Sequence, residues 1–237
     1  IETATTVVGV ALVAMQADGD SAVLGSVEIH HGRRHAEVLA PAIDFVCEHA
    51  QVSLDTIGGV VVDRGPGLFT GMRVGIATAS ALGFALDVPV VGVSSLDVLA
   101  AGGIPPTRAS GDDETEDPVV AAVIDARKGE VFFRLYRRGV ALGDATTGSI
   151  ADFNAAVMAR GQRVIAVGDG AWRYRDELAG DVVAAPLAHP SAVVAARVGR
   201  AALVAADLDG TRPTVQPLYL RAPDAQINWT QRSSGDR

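Results

Sequence analysis

The sequence predicts an α/β protein of two lobes, each a mixed sheet with flanking helices. Three observations predict it. Residues 60–63 and 89–93 are short valine-rich runs, of the kind found in parallel sheets covered by helices. Residues 36–50 place Val38, Leu39, Ala42, Ile43 and Val46 at the period of an amphipathic helix. The order hairpin, helix, strand, helix then recurs loosely in the second half of the chain.

In order along the chain, residues 7–14 are almost wholly apolar and read as a strand. The turn 17–20 leads to a second strand at 22–29, pairing as a hairpin. Ile1-Glu2-Thr3 reads as the end of a strand, so residues are expected before it. Helix 36–50 follows, and Pro41 is expected to bend or restart it. Strand 60–63 runs into the turn Arg64-Gly65-Pro66-Gly67-Leu68-Phe69-Thr70-Gly71, where glycine reaches positive φ at little cost and proline fixes its own. The helix after it carries Gly71, Gly75, Ala77, Thr78, Ala79, Ala81 and Gly83. Glycine and threonine make it a weak helix by propensity, so close packing against another helix is the expected reason for it. Strand 89–93 and a helix from Ser94-Ser95, whose hydroxyls suit an N-cap, complete the first lobe over 1–101.

Residues 102–118 are rich in Gly, Pro and acids and read as a solvated, mobile connection. The second lobe, 119–237, opens with strands 119–124 and 130–136 around Asp125-Ala126-Arg127-Lys128-Gly129. Helix 150–160, strand 163–167 and an alanine-rich helix 191–207, with Ser191 as its expected N-cap, follow. Trp229 lies in a polar tail and reads either as a partner anchor or as part of a docked or disordered tail.

The 237 residues are 49% hydrophobic and 20% charged, with net charge −8. That is a globular composition. The charge argues against a large nucleic-acid surface of the chain's own. Cys47 is the one cysteine, read as a buried thiol. No apolar run is read as approaching the roughly 18 residues that span a bilayer, no signal peptide is found, and the cytoplasm is the expected compartment.

The search for chemistry finds little. Gly65-Pro66-Gly67 is neither a Walker A loop nor a dinucleotide fingerprint. His31 and His35 have helical metal spacing, but Gly32 and two arginines lie between them and no carboxylate serves as base. Two similar lobes are the organisation of the actin-like (ASKHA) ATPases and kinases, which grip phosphate with two hairpin turns patterned like Asp-x-Gly-x-Thr. Here the first turn has Glu2 for Asp and Ala4 for Gly, and the second has Arg127 where a small residue is wanted. Both phosphate cradles are degraded.

With those residues on the page, the chain resembles the TsaB family, formerly YeaZ, nearly end to end. The resemblance rests on Glu2-Thr3-Ala4-Thr5, on Arg34 through Pro41, and on Gly65 through Gly75. It rests also on Val93-Ser94-Ser95-Leu96, on Asp125 through Val131, and on Tyr219-Leu220-Arg221. Leu68 and Ala36 stand where the family often has serine. The related TsaD family carries a His-x-x-x-His metal pair after the corresponding strand; the matching positions here are Ser95 and Leu99, which cannot hold a metal in its place.

The resemblance implies a non-catalytic scaffold or activator in bacterial synthesis of threonylcarbamoyladenosine on tRNA, binding the catalytic TsaD subunit. It further implies recruitment of the ATPase TsaE, homodimers in isolation, tRNA contact only through the complex, and no membrane. The chain would have no cofactor of its own, with ATP and a metal used by partner subunits. Partner-binding residues are expected on the first helix at His35, Glu37, Leu39 and Ile43. On the second they are Phe69, Thr70, Gly71, Arg73, Val74, Gly75, Thr78, Ala79 and Leu82. The competing readings are an actin-like ATP-dependent small-molecule kinase, opposed by Glu2, Ala4 and Arg127, and a metallopeptidase, opposed by Ser95 and Leu99.

Overall fold

The computed structural model describes residues 1–16, 21–30, 34–103, 118–161, 163–179 and 189–221, and the backbone of 182–184. The turn 17–20, the His31-Gly32-Arg33 stretch, most of the acidic connection (104–117) and Trp229 lie outside the described residues.

In the first lobe β1 (Val8–Met15) and β2 (Ser21–Ile29) form the expected hairpin. The apolar run 36–50 becomes α1 (His35–Ala50). Pro41 does not restart it: the helix runs continuously through Pro41. Pro41 is exposed, so the Glu37 carbonyl left without an intrahelical donor is on the side that water reaches. β3 (Val60–Asp63), α2 (Phe69–Leu86) and β4 (Val90–Val93) follow, and β3 and β4 pair in parallel, Val60 opposite Val90. Ile1 and Glu2 join the two strand pairs. Glu2 and Gly9 exchange backbone hydrogen bonds of 2.8 Å, and the Asp63 N–H donates to Ile1 O at 2.9 Å. Alternation puts Val60 and Val62 against Ala79 of α2, while Val61 faces the opposite side.

α2 corrects the reading of membrane-length runs: its 18 residues have mean hydropathy 1.3, long and apolar enough to cross a membrane by length and composition. It lies instead on β3 and on the first turn, with Gly71, Met72, Gly75, Ala79 and Gly83 buried.

α3 (Ser95–Gly103) leads into the second lobe, whose sheet runs β10 (Val182–Ala184), β9 (Val164–Val167), β5 (Val119–Arg127), β6 (Glu130–Arg137), β7 (Val140–Ala141), with β8 (Thr146–Ser149) also on β6. β5, β9 and β10 are parallel and β6 is antiparallel to β5. α4 (Ile150–Met158) starts with a Ser149/Asp152 capping box, and α5 (Asp169–Arg173) follows Gly168. Phe153, Val157 and Ala171 fill one face of this sheet; Leu96 and Leu99 of α3 fill the other.

The last helix, α6 (Ala192–Leu208), packs on β1, β3 and β4 of the first lobe. A cut between 101 and 119 therefore does not separate the packing. α3 buries its apolar face on the second sheet and α6 on the first, so each lobe is completed by a helix from the other side of the cut. Ser191 occupies the N-cap position of α6 without a side-chain cap bond. The segment after α6 crosses both lobes: Val215 packs beside Val60 and Val62, and Leu220 beside Ile124 and Phe132.

Candidate functional site

The first turn, residues 2–6, hangs between β3 and β1, and its polar groups are taken by the chain itself. The Leu68 N–H donates to Ala4 O at 2.6 Å, and Thr3 Oγ1 donates to Gly71 O at 2.9 Å. His35 Nε2 lies 2.8 Å from Thr5 O. A carbonyl only accepts, so this nitrogen carries the proton. The glycines after β3 serve this closure. A Cβ on Gly67 would sit 2.1 Å from Ala4 O, and one on Gly71 2.0 Å from Thr3 O. The backbone approach that the sequence predicts is real, but it is made to the chain's own turn.

Beneath the turn lie two buried acids. Asp63 Oδ1 accepts from the Gly65 N–H at 2.7 Å and from Ser95 Oγ at 2.6 Å. Glu2 Oε1 accepts from Thr5 N–H at 3.1 Å. Burial first, and then the neighbouring Asp63, push Glu2 well above the carboxylate range. Asp63 is also raised by burial, against hydrogen bonds from Glu2, Ser95 and Gly65. Two carboxylates in one dry site cannot both ionise, so the pair retains a proton where free carboxylates have lost theirs.

The second turn is also closed. Lys128 and Gly129 form the two-residue loop, with φ 56° and 79°, as a hairpin turn with two left-handed positions demands, and Arg127 before them is also left-handed at 67°, beside the register shift after Asp125; a non-glycine side chain disfavours that region. The Arg127 N–H donates to Asp125 Oδ1 at 3.0 Å, and the Arg127 and Arg173 guanidinium groups lie 3.4 and 3.7 Å from Asp125 Oδ2. Asp169 Oδ1 accepts from the Asp125 N–H at 3.0 Å. Burial, above all, raises Asp169 to about 6. Arg221 bridges Ala126 O at 3.1 Å and Glu130 Oε2 at 2.8 Å. Where a phosphate-gripping turn turns free N–H groups outward, these turns spend them on protein acceptors.

The outer surface of α1 and α2 is different. Phe84 is 92% exposed and Phe45 49% exposed, and Ala77, Ala81 and Ala85 are exposed with them. At the start of α2, Phe69 stacks on Tyr219 with centroids 5.4 Å apart. The Arg73 guanidinium lies 4.0 Å over the Phe69 ring, and Arg73 Nε donates to Tyr219 OH at 3.0 Å.

The expected partner-binding residues divide. Glu37, Phe69, Thr70 and Arg73 are exposed, and Val74, Thr78 and Leu82 are half-buried. The others are a correction. His35, Leu39, Ile43, Gly71, Gly75 and Ala79 are buried inside the chain. The small-residue stripe is a seam, but the surface across it is the chain's own first turn and β3. Leu39 and Ile43 face β1. Phe45 and Phe84, which the sequence reading missed, sit on the exposed side; Phe84 follows Phe69, Arg73, Ala77 and Ser80 at helical spacing.

A family model described as TsaD: tRNA N6-adenosine threonylcarbamoyltransferase matches residues 29–170, more than half of the chain. Relatives from Mycobacterium tuberculosis and Mycobacterium bovis are 35% identical over 227 residues, covering 95% of this chain and 92% of each relative. The TsaB of Escherichia coli is 35% identical over 117 residues, 48% of this chain and 47% of that protein. A solved structure of YeaZ from Pseudomonas aeruginosa superposes with a TM-score of 0.68 at 26% identity, over 92% of this chain and 97% of that one.

The chain belongs to the TsaB/YeaZ family. The curated TsaB relatives are tRNA threonylcarbamoyladenosine biosynthesis proteins, and this chain spans about half the length of those it matches, 47% of the Escherichia coli one and 53% of the Bacillus subtilis one. Within this family's scaffold, the positions matching the TsaD metal pair are occupied otherwise. Ser95 is buried and bonded to Asp63, and Leu99 is part of the second lobe's core.

Proposed function

We propose that this TsaB-family chain is the non-catalytic, partner-binding subunit of a tRNA threonylcarbamoyl transferase complex, with the outer surface of α1 and α2 as its contact for the catalytic TsaD subunit. One observation carries the reading: Phe84, 92% exposed, stands on an alanine-lined helix surface that nothing among the described residues covers. A large aromatic among small residues is the composition of an interface anchor. The match of the TsaD family model over both helices supports a partner with equivalent helices, so the two pairs could close face to face. The same logic gives a symmetric homodimer when TsaD is absent.

The closed turns support the non-catalytic part. Kinase chemistry has no open phosphate cradle in them, and a metallopeptidase has Ser95 and Leu99 where imidazoles are required. In this reading ATP and metal are used by the partner subunits, TsaE joins the assembled complex, tRNA is met only there, and the complex works in the cytoplasm. The test is co-purification of the chain with TsaD, followed by tRNA modification assays omitting one component at a time. Modification without this chain, or turnover by the chain alone, overturns the reading.

A further inference from the structure

Residues 211–221, after α6, form no regular secondary structure, yet they are bonded along their length. Arg212 Nη2 donates to Asp87 O, at the end of α2, at 2.8 Å. Val215 packs beside Val60 and Val62 and closes on Gly92 of β4, where a Cβ would sit 2.8 Å from Val215 Cγ1. The Leu218 N–H donates to Arg64 O, directly after β3, at 2.8 Å. Pro213 and Pro217 fix their own φ, which reduces the entropy lost when such a segment is ordered.

The next residues cross from one lobe to the other. Tyr219 belongs to the first: its ring stacks on Phe69 and its hydroxyl accepts from Arg73 Nε. Leu220 belongs to the second: its side chain packs against the core at Ile124 and Phe132, and its carbonyl accepts from Thr147 Oγ1 of β8 at 3.3 Å. Arg221 holds both sides of the second turn, Ala126 O at 3.1 Å and Glu130 Oε2 at 2.8 Å. Tyr219 and Arg221 are two residues apart, so their Cα atoms lie within about 7 Å of each other. The start of α2 and the second turn are therefore tied by a link without slack.

The two grips differ in strength. Tyr219 is 39% exposed and Phe69 38%, and contacts between exposed side chains are weak. Leu220 and Arg221 are half-buried, and the bond from Arg221 to Glu130 is charge-assisted. The first-lobe end releases at small cost while the second-lobe end stays in place.

We propose that residues 218–221 are a coupling strap between the start of α2 and the second turn. Seated, Tyr219 is a positioning residue: it holds the Phe69 ring and the Arg73 guanidinium in one arrangement, and Arg221 ties that arrangement to Ala126 and Glu130. Released, Phe69 and Arg73 lose their common partner and Arg221 loses its alignment on the turn. A partner that takes the ordered Phe69–Arg73 pair stabilises the seated state, and by linkage it tightens the second turn. The coupling belongs to the chain alone and holds whichever partner α2 meets.

The test is amide exchange on the full chain, with the change made in one lobe and read in the other. Tyr219→Ala should speed exchange at Arg127, whose N–H donates to Asp125 Oδ1, by at least about threefold. Tyr219→Phe, which keeps the stacking on Phe69, should recover most of that loss. Glu130→Gln should speed exchange at Met72, whose N–H donates to Leu68 O in the first turn of α2, by a similar factor. Val123, in the core of the second lobe, reports general loosening and should exchange at the same rate in every variant. Unchanged exchange at Arg127 in Tyr219→Ala, or at Met72 in Glu130→Gln, overturns the proposal. So does a rise at Val123 equal to the rise at Arg127, which would make Tyr219 a contributor to stability and no more.

Discussion

Gly75 lets α2 lie directly on Thr3: a Cβ on Gly75 would sit 2.2 Å from Thr3 Oγ1 and 3.5 Å from Val62 Cγ2. Thr3 is itself fixed by its bond to Gly71 O at 2.9 Å. The helix, the first turn and β3 therefore meet through a glycine. The partner contact proposed for the helix's other face would rely on this inner seam, because the seam sets where the helix lies.

Gly75→Ala should destabilise the protein, although alanine is the better helix former by about 1 kcal/mol. Overpacking of a tight contact costs about 1–3 kcal/mol and outweighs that gain. Gly75→Glu should prevent cooperative folding, since it adds a charge as well as bulk to a closed seam. Circular dichroism melts check both. A Gly75→Glu protein that melts like wild type would place the helix elsewhere.

The sequence made much of this legible. Valine-rich runs and the 3.6 period placed β3, β4 and α1 because burial on both faces, or on one stripe, is a local pattern. The small-residue helix was legible as a close-packed element, but not its counterpart. Gly71, Gly75 and Ala79 look the same whether the surface opposite is Thr3 or a second protein. The Glu2–Asp63 pair was hidden because the two acids are far apart in sequence and meet only through the paired strands. The exchange of α3 and α6 between lobes was hidden for the same reason.

Phe84→Asp should leave the melting temperature within about 2 °C, because an exposed side chain carries little of the folding energy. It should weaken association with TsaD, and any homodimer, by at least about tenfold. Size-exclusion chromatography and calorimetric titration check the pair of outcomes. Wild-type affinity for the variant would remove Phe84 from the interface.

Glu2→Gln should flatten the pH dependence of stability. Glu2 is raised above its ordinary value of 4.5 in the folded state, so the folded protein holds a proton that the unfolded chain releases. That contribution is fully present below the ordinary value and is lost as pH rises through the folded one. Glutamine offers an N–H to Asp63 without titrating and keeps an oxygen for Thr5. Melting temperatures from pH 5 to 9 should fall for wild type and fall less for the variant. Parallel curves would mean that the Glu2 proton is not shared with Asp63.

Asp169→Asn should stabilise the protein at neutral pH and not at pH 4. Asp169 titrates near 6 in the folded state against 3.8 ordinarily, chiefly through burial and with the neighbouring Asp125 adding repulsion. Ionising it in the folded protein therefore costs stability that is lost as pH rises from the lower value through the higher, about 3 kcal/mol at most. Asparagine keeps an oxygen to accept from the Asp125 N–H, which lies 3.0 Å from Asp169 Oδ1, and it removes the charge facing Asp125. The gain expected at pH 7.5 is about 1–2 kcal/mol, below that ceiling because the asparagine amide must still be desolvated in the same buried place. Denaturant titrations at pH 4 and pH 7.5 measure the difference. A variant less stable than wild type at pH 7.5 would show that the carboxylate is needed ionised, held by the arginines of the second turn.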